Sequence, residues 1–504
     1  MIAAIPSAVL FGVDGLPVTV EVHVANGLPG LTIVGLPDAA VRESRDRVRA
    51  ALVSCGLPWP RRRITVNLAP SGLRKAGAGL DLSIAIGVLV ASEALPAATV
   101  AGMAFVGELG LDGSLRGVPG TMALAGALVD LQLVVAEESL AEARLAGGEC
   151  RCAPDLRSLV ARCKGRRPWS EPATCRAVHS GLAGSEVESQ ADLADVVGQP
   201  LGRRALEVAA AGRHHLLLVG PPGAGKTLLA TRIAGLLPDL NPATAREVTR
   251  IHSAAGGSGS GLAVRPPFRS PHHGASTVAL VGGGTAAMRP GEISLAHGGA
   301  LFLDEIGEFP SSVIDALRQP LEEGVVRVSR AGGSTVFPAR FLLLAAMNPC
   351  PCGEGGTPGS CRCLPAARAR YARHLSGPLL DRFDLAVRIE RPDHRALASS
   401  GAGESSALVA ERVLAARRMA QARGVEANAD LPAARLDHVA PLQPAARAML
   451  EERLRSGRLS ARGLHRVWRL ARTVADLDDG PDEVTAVHMA EALVLRSSRT
   501  GLFG

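Results

Sequence analysis

The sequence predicts a multidomain α/β protein: an amino-terminal α/β unit, a nucleotide-binding α/β core on a parallel sheet, and an all-helical carboxyl-terminal domain. Three observations carry this prediction. The chain has 504 residues, more than one hydrophobic core usually serves. Residues 214–237, HHLLLVGPPGAGKTLLATRIAGLL, run from a buried apolar strand through a Gly-rich turn into a helix. Beyond residue 407 the apolar residues recur with helical periodicity alone.

Composition narrows the class. With 47% apolar and 20% charged residues the chain reads as globular. The start, MIAAIPSAVLFGVDG, has no basic signal region, and the most apolar stretch, LDLSIAIGVLVASEAL, is interrupted by Asp81 and Glu93. That is short of the roughly 20 apolar residues a bilayer span needs, so a cytoplasmic protein with no membrane partner is expected. Nine cysteines, an odd number, point to reduced thiols or a metal rather than a disulfide framework. The net charge of +7 permits a polyanionic partner without demanding one. Only Lys75, Lys164 and Lys226 are lysines among 55 basic residues, so arginine is the default here and each lysine needs a reason.

In chain order, PVTVEVHVANG, RRITVNLAP and LQLVVAEE read as strands, and DAAVRESRDRVRAALVSCG as a helix, giving an α/β domain over 1–176. The Ser-, Gly- and acid-rich stretch at 177–197 reads as a linker into the core at 198–397, and ASSGAGESSA, 398–407, reads as a second linker. Residues 408–504 carry four helical segments, including ARGLHRVWRLARTVADLDD with Arg462 and Arg466 spaced i, i+4.

The chemistry gathers in the core. Gly220, Pro221, Pro222, Gly223, Ala224, Gly225, Lys226 and Thr227 satisfy G-x-x-x-x-G-K-[ST] between strand and helix. In that pattern backbone N–H groups close on phosphates, Lys226 reaches the β and γ phosphates of ATP, and Thr227 ligates Mg²⁺. Further on, GGALFLDE is a buried strand with Asp304 and Glu305 at its carboxyl end. Asp304 is expected to hold Mg²⁺ through water, and Glu305 to act as general base on the attacking water. The strand ARFLLLAAMN ends on Asn348, whose amide suits orienting that water. Arg382 sits between hydrophobic positions in SGPLLDRFDL. Phosphoryl transfer needs a fixed cation for the γ-phosphate, and such arginines often come from a neighbouring subunit.

Four of the nine cysteines, Cys350, Cys352, Cys361 and Cys363, fall within NPCPCGEGGTPGSCRC. Two C-x-C pairs separated by a glycine-rich turn can bring four sulfurs to one structural Zn²⁺. His272 and His273 are adjacent in SPHHGAS; on an extended segment they would point to opposite sides. They read as a loop contacting phosphate or a neighbouring subunit rather than as a metal site.

The P-loop, LFLDE, the strand ending in Asn348, LLDRFDL and a helical domain with SAR together resemble an AAA+ ATPase. The segments PFRSPHHGASTVALVGGGTAAMRPGEISLAHGGALFLDE and VRVSRAGGSTVFPARFLLLAAMNPCPCG are similar to the magnesium-chelatase-like ComM/YifB family. The amino-terminal segments ITVNLAPSGLRKAGAGLDLSIAIGVL and FVGELGLDGSLRGVPG look like that family's domain related to the Lon protease carboxyl-terminal (ribosomal S5 domain 2-like) fold. The resemblance implies that Asn348 is the first sensor, Arg382 a finger acting in trans and Arg462 the second sensor. It implies a hexameric ring motor for DNA branch migration in recombination and natural transformation. The 265–290 insert and the hairpin carrying Arg327 and Arg330 are candidates to grip single-stranded or branched DNA. A chelatase-type motor, remodelling a partner that inserts metal into a tetrapyrrole, is the alternative. A protease is disfavoured: the Lon-like segment lacks the serine motif, and Ser83 lies in an apolar helix pattern.

Overall fold

The computed structural model describes residues 2–169, 191–257, 261–284, 288–330, 333–355, 361–375, 377–392, 403–497 and Leu502. Outside them lie 177–190 and 398–402 of the two expected linkers, residues 285–287 of the expected 265–290 insert, the glycines and proline at 356–360 between the cysteine pairs, and the 331–332 hairpin tip. The Arg330 side chain also lies outside the described residues.

The amino-terminal unit is built on β1 (Ile2–Phe11), β2 (Asp14–Ala25), β3 (Gly30–Val34) and β4 (Arg63–Ala69), in the order β1-β2-β4-β3 with only the β3–β4 pair parallel. Val18, Val20, Val22 and Val24 alternate inward along β2, the period-two signature of a half-buried strand. Helix α1 (Ala39–Ser54) starts where the Asp38 carboxylate accepts from the Val41 N–H, and it buries Val41, Ser44, Val48, Ala51 and Leu52 as one stripe. Helix α2 (Asp81–Ala91) is buried on all sides, Ser83 included, whose hydroxyl donates to the Leu80 carbonyl. Gly87 lets α2 approach β2 closely: a Cβ there would stand 2.5 Å from Val22 Cγ2. Asp81, buried at the start of α2, is satisfied by Arg47 at 2.7 Å and by the Ser44 hydroxyl. A second, parallel sheet follows: β5 (Met103–Phe105), β6 (Gln132–Ala136) and β7 (Cys150–Ala153).

The core is a five-stranded parallel sheet of β8 (Leu216–Val219), β9 (Phe268–Arg269), β10 (Ala300–Leu303), β13 (Leu342–Met347) and β14 (Leu385–Arg388), in the order β9-β10-β13-β8-β14. Between β10 and β13 an antiparallel hairpin, β11 (Val325–Arg330) and β12 (Gly333–Pro338), stands apart from the sheet. Leu216, Leu217, Leu218 and Val219 are fully buried, each burial contributing roughly 1.5–3 kcal/mol. That continuous apolar run is what a strand covered on both faces requires.

The carboxyl-terminal region is helical: α8 (Ser406–Ala422), α9 (Pro444–Arg455), α10 (Ala461–Leu477) and α11 (Ala486–Val494), following α5 (Pro200–Gly212), α6 (Lys226–Thr231) and α7 (Pro242–Ala254) of the core. Two expected linker ends are folded. Residues 191–197 carry a 3₁₀ turn capped by Asp192 and Asp195, with Leu193 and Val196 in the core cluster. Residues 406–407 already belong to α8, which the Ser405 hydroxyl caps by accepting from Leu408 N–H. The helical region is locked to α5 by Arg204, paired with Asp478 at 2.9 Å and Glu491 at 2.7 Å, and by Arg417, which donates to the Ala210 carbonyl at 2.8 Å.

The amino-terminal unit docks on the core. Short helix α3 (Thr121–Gly126) packs on α7, with Gly120 N–H donating to the Ser253 carbonyl at 3.0 Å and Arg250 paired with Asp14 at 3.1 Å. The β1–β2 turn reaches the β11–β12 hairpin, and Val13 is buried in the same cluster as Val326, Val328 and Phe337. Among the described residues no helix is long and apolar enough to cross a membrane.

Candidate functional site

The phosphate-binding segment leaves β8 at the carboxyl end of the sheet. Gly223 and Gly225 adopt φ of +77° and +86°, which only glycine takes without strain. The Lys226 ammonium donates to the Gly220 carbonyl at 2.7 Å, the Pro221 carbonyl at 3.0 Å and Asn348 Oδ1 at 3.1 Å. Burial pushes its pKa down, against the attraction of Asp304 and Glu305. The Thr227 hydroxyl donates to Asp304 Oδ2 at 2.7 Å, and Asp304 Oδ1 accepts from Glu305 N–H at 2.9 Å. A hydroxyl and a carboxylate in contact beside a phosphate cradle are the hard oxygen donors that Mg²⁺ takes. Lys226, Thr227, Asp304, Glu305 and Asn348, drawn from three neighbouring strands, are thus brought to one place.

Glu305 holds a left-handed conformation, φ +50° and ψ +46°, at a cost of about 1–2 kcal/mol for a residue with a side chain. Its carboxylate is exposed and faces the His273 Nδ1 at 3.8 Å. The expectation for the paired histidines is corrected here. His272 and His273 sit in a turn, not an extended segment, so their rings lie on the same side with centroids 4.0 Å apart. His272 Nδ1 accepts from the Gly274 N–H, and His273 meets the Phe309 ring edge-on.

The two arginines lie elsewhere. Strand β14 runs parallel to β8 with Leu216 opposite Leu385 and Val219 opposite Arg388. Arg382 therefore sits at the amino end of the sheet, roughly 15–20 Å from the phosphate loop of its own chain at about 3.3 Å per residue. Its guanidinium pairs with Glu322 and donates to the Pro378 carbonyl at 2.5 Å, while its buried Nε has no hydrogen-bond partner among the described residues. Burial first, and then Arg466, Arg462 and Arg318, lower its pKa, so four guanidinium groups share this corner. Arg462, in the first turn of α10, is exposed.

Arg466 fixes the corner: one Nη1 donates to the Arg382 carbonyl at 2.8 Å and to Asp384 Oδ1 at 2.6 Å. Asp384 also accepts from His215 N–H at 3.2 Å and faces His214 Nδ1 at 3.6 Å. Burial pushes the Asp384 carboxyl up, yet His214 and Arg466 outweigh it and hold the group well below the usual carboxylate range. This supporting network was not readable from the sequence, because Asp384 and His214 belong to different strands and arginine is everywhere.

The four cysteines converge, with every sulfur within 4.8 Å of the others. Cys350 Sγ and Cys352 Sγ each stand 3.7 Å from Cys361 Sγ. Sulfurs placed tetrahedrally at about 2.3 Å from one Zn²⁺ would be about 3.8 Å apart, so the set fits a closed metal site. Burial and the neighbouring thiols push Cys350 up to about 12, and the Glu354 N–H and neighbouring thiols draw Cys352 down to about 6.

The family model described as "Magnesium chelatase, subunit ChlI" matches residues 192–397. "Subunit ChlI of Mg-chelatase" matches 20–138, and "Magnesium chelatase, subunit ChlI C-terminal" matches 403–496. The chain is 45% identical to the uncharacterized protein YifB of Escherichia coli K12 over 491 residues, 96% of this chain and 95% of that one. It is 42% identical to the competence protein ComM of Haemophilus influenzae over 502 residues, 98% and 97% of the two chains. Its similarity to the magnesium-chelatase 67 kDa subunit of Chlorobaculum parvum is 26% identity over 157 residues, 31% of this chain and 23% of that one. The chain belongs to the ComM/YifB family of magnesium-chelatase-like proteins.

Proposed function

We propose that the chain is an ATP-dependent DNA-translocating motor, cytoplasmic and assembled as a homo-oligomeric ring of six subunits, that drives branch migration in recombination and natural transformation. The observation that carries this reading is the separation of the phosphate machinery from the Arg382–Arg462 corner at opposite ends of one sheet. A nucleotide held by Lys226 and Thr227 gains an arginine only when a second copy presents its amino-end corner. Mg²⁺ held by Asp304 and Thr227 would supply positive charge to offset that developing on the phosphates. Lys226 exchanges its carbonyl partners for phosphate oxygens, and Glu305 takes the proton from the attacking water. Asn348, already bonded to Lys226, senses the γ-phosphate. Arg382 and Arg462 of the adjoining copy stabilise the charge on the transferred group.

Support for DNA as the track comes from the β11–β12 hairpin, separate from the main sheet, where the Arg327 side chain is 56% exposed and paired with Glu323 at 3.3 Å, and from the near-full-length similarity to a competence protein. The chelatase alternative draws on the magnesium-chelatase family models over 20–138, 192–397 and 403–496, but the similarity to a magnesium-chelatase subunit itself is 26% identity over 157 residues. In this reading the amino-terminal unit is Lon-protease-like without the nucleophile, and the cysteine cluster holds one structural zinc. The test is ATP turnover with and without single-stranded and branched DNA. Several-fold stimulation that Arg327→Ala removes is expected, whereas turnover indifferent to every DNA would refute the DNA reading.

A further inference from the structure

The cysteine cluster stands directly on the phosphate loop. Gly353 has φ +81°, and a Cβ there would lie 2.6 Å from Pro222 Cδ and 2.7 Å from Pro222 Cγ, so the backbone of the first C-x-C turn rests on that proline ring. Arg391 clamps the contact: its Nε donates to the Pro222 carbonyl at 3.1 Å and its Nη2 to Glu354 Oε1 at 2.6 Å. Arg388 Nη2 donates to the Gly355 carbonyl at 3.3 Å, and Gly355 N–H donates to Cys350 Sγ at 3.1 Å. At the other end of the same segment Asn348 holds Lys226. Residues 348–355 therefore touch the phosphate loop twice, at its lysine and at its second proline.

This segment has little else to hold its shape. It forms no helix or strand, and of its two sulfurs Cys350 is buried while Cys352 is exposed. Fixing four thiolates to one ion would remove the freedom of the turn and hold Gly353 and Glu354 against Pro222. A phosphate loop binds well when its N–H groups are already converged, because the ordering cost is met before the ligand arrives.

We propose that the metal held by Cys350, Cys352, Cys361 and Cys363 controls nucleotide binding, by acting as a buttress that keeps the Pro222 side of the phosphate loop in its binding conformation. The inference rests on the zinc reading above and adds its consequence: metal occupancy sets ATP affinity, not only the order of a distant insert. The exposed side of the cluster lets the metal exchange with solvent while Cys350 keeps the turn anchored.

The experiment uses the full-length chain, a fluorescent ATP analogue with Mg²⁺ in excess, and zinc content by elemental analysis. Stripping zinc with a zinc-selective chelator should weaken analogue binding by roughly tenfold, and adding back equimolar zinc should restore it, as expected when preorganisation is lost and regained. Glu354→Gln, which leaves all four ligands in place, should keep about one zinc per chain yet bind the analogue several-fold more weakly. Zinc that can be removed with no change in affinity would overturn the buttress and leave the zinc site standing. Protein that purifies without zinc, takes up none when zinc is supplied and still binds the analogue normally would overturn the zinc reading and the buttress together.

Discussion

The two ends of the five-stranded sheet hold opposite halves of one chemistry. The carboxyl end carries Lys226, Thr227, Asp304, Glu305 and Asn348, linked by short side-chain bonds. Its nearby arginines are otherwise occupied: Arg388 is bonded to the Gly355 carbonyl and Arg391 to Glu354 and Pro222. The amino end carries Arg382, Arg462 and Arg466 in one corner, with Asp384 buried beneath them. The difference teaches what the proposed motor requires: a second copy whose arginine corner meets this copy's loop. One end presents a glycine-rich loop with a lysine and acidic partners; the other presents cations that repel one another, of which Arg466 is paired with the buried Asp384 and Arg382 with Glu322. In the proposed motor a copy could not bring its own arginine corner to its own loop, since a parallel sheet keeps the two a strand length apart.

The largest effect that would sharpen this contrast is expected from Arg382→Ala. ATP affinity should change little, while turnover falls by about 10³-fold or more, the scale of arginine fingers. A loss confined to affinity would break the comparison. Next comes Glu305→Gln, expected to retain ATP and lose turnover by roughly 10²–10⁴-fold. Single-turnover measurements should show bound, unhydrolysed ATP, and hydrolysis at the normal rate would remove Glu305 from its role.

Asp384→Asn should act on stability and on the arginine corner together. The substitution removes the charge partner of the partly buried Arg466 and is expected to cost about 1–3 kcal/mol. Denaturant titration measures it, and a change below about 1 kcal/mol would mean the corner is not held by this carboxylate.

The smallest expected effect concerns pH. His215 Nδ1 accepts from the Leu343 N–H at 3.1 Å, and burial draws its pKa from 6.5 down to about 4. The folded state thus takes up its proton later than the unfolded chain as pH falls. Its contribution is present above pH 6.5 and is lost progressively between 6.5 and 4. Thermal melting at pH 7 and pH 5 should show this loss, and His215→Gln should flatten it. An unchanged slope in the variant would assign the acid sensitivity to other groups.

What was legible in the sequence was what is contiguous. The phosphate loop, the acidic pair and the cysteine pairs are short patterns whose spacing is itself the chemistry, and the helices past residue 405 follow from apolar periodicity and from caps such as Ser405 and Ser460. What was not legible depends on register and on turns. Nothing in SGPLLDRFDL says that Leu385 pairs with Leu216, and that pairing decides which end Arg382 occupies. The side-by-side rings of His272 and His273 needed a turn that an extended reading could not supply. The contact of Gly353 with Pro222 joins residues 131 positions apart and left no local trace, beyond one more glycine in a glycine-rich stretch.

The most direct test of the complementary ends is mixing. Arg382→Ala subunits keep an intact cradle and general base, whereas Glu305→Gln subunits keep an intact arginine corner, so each variant alone should be nearly inactive. Combined in equal amounts, they should recover a substantial part of wild-type ATP turnover wherever a Glu305→Gln corner meets an Arg382→Ala cradle. Turnover that stays at the level of the separate variants at every mixing ratio would contradict the account.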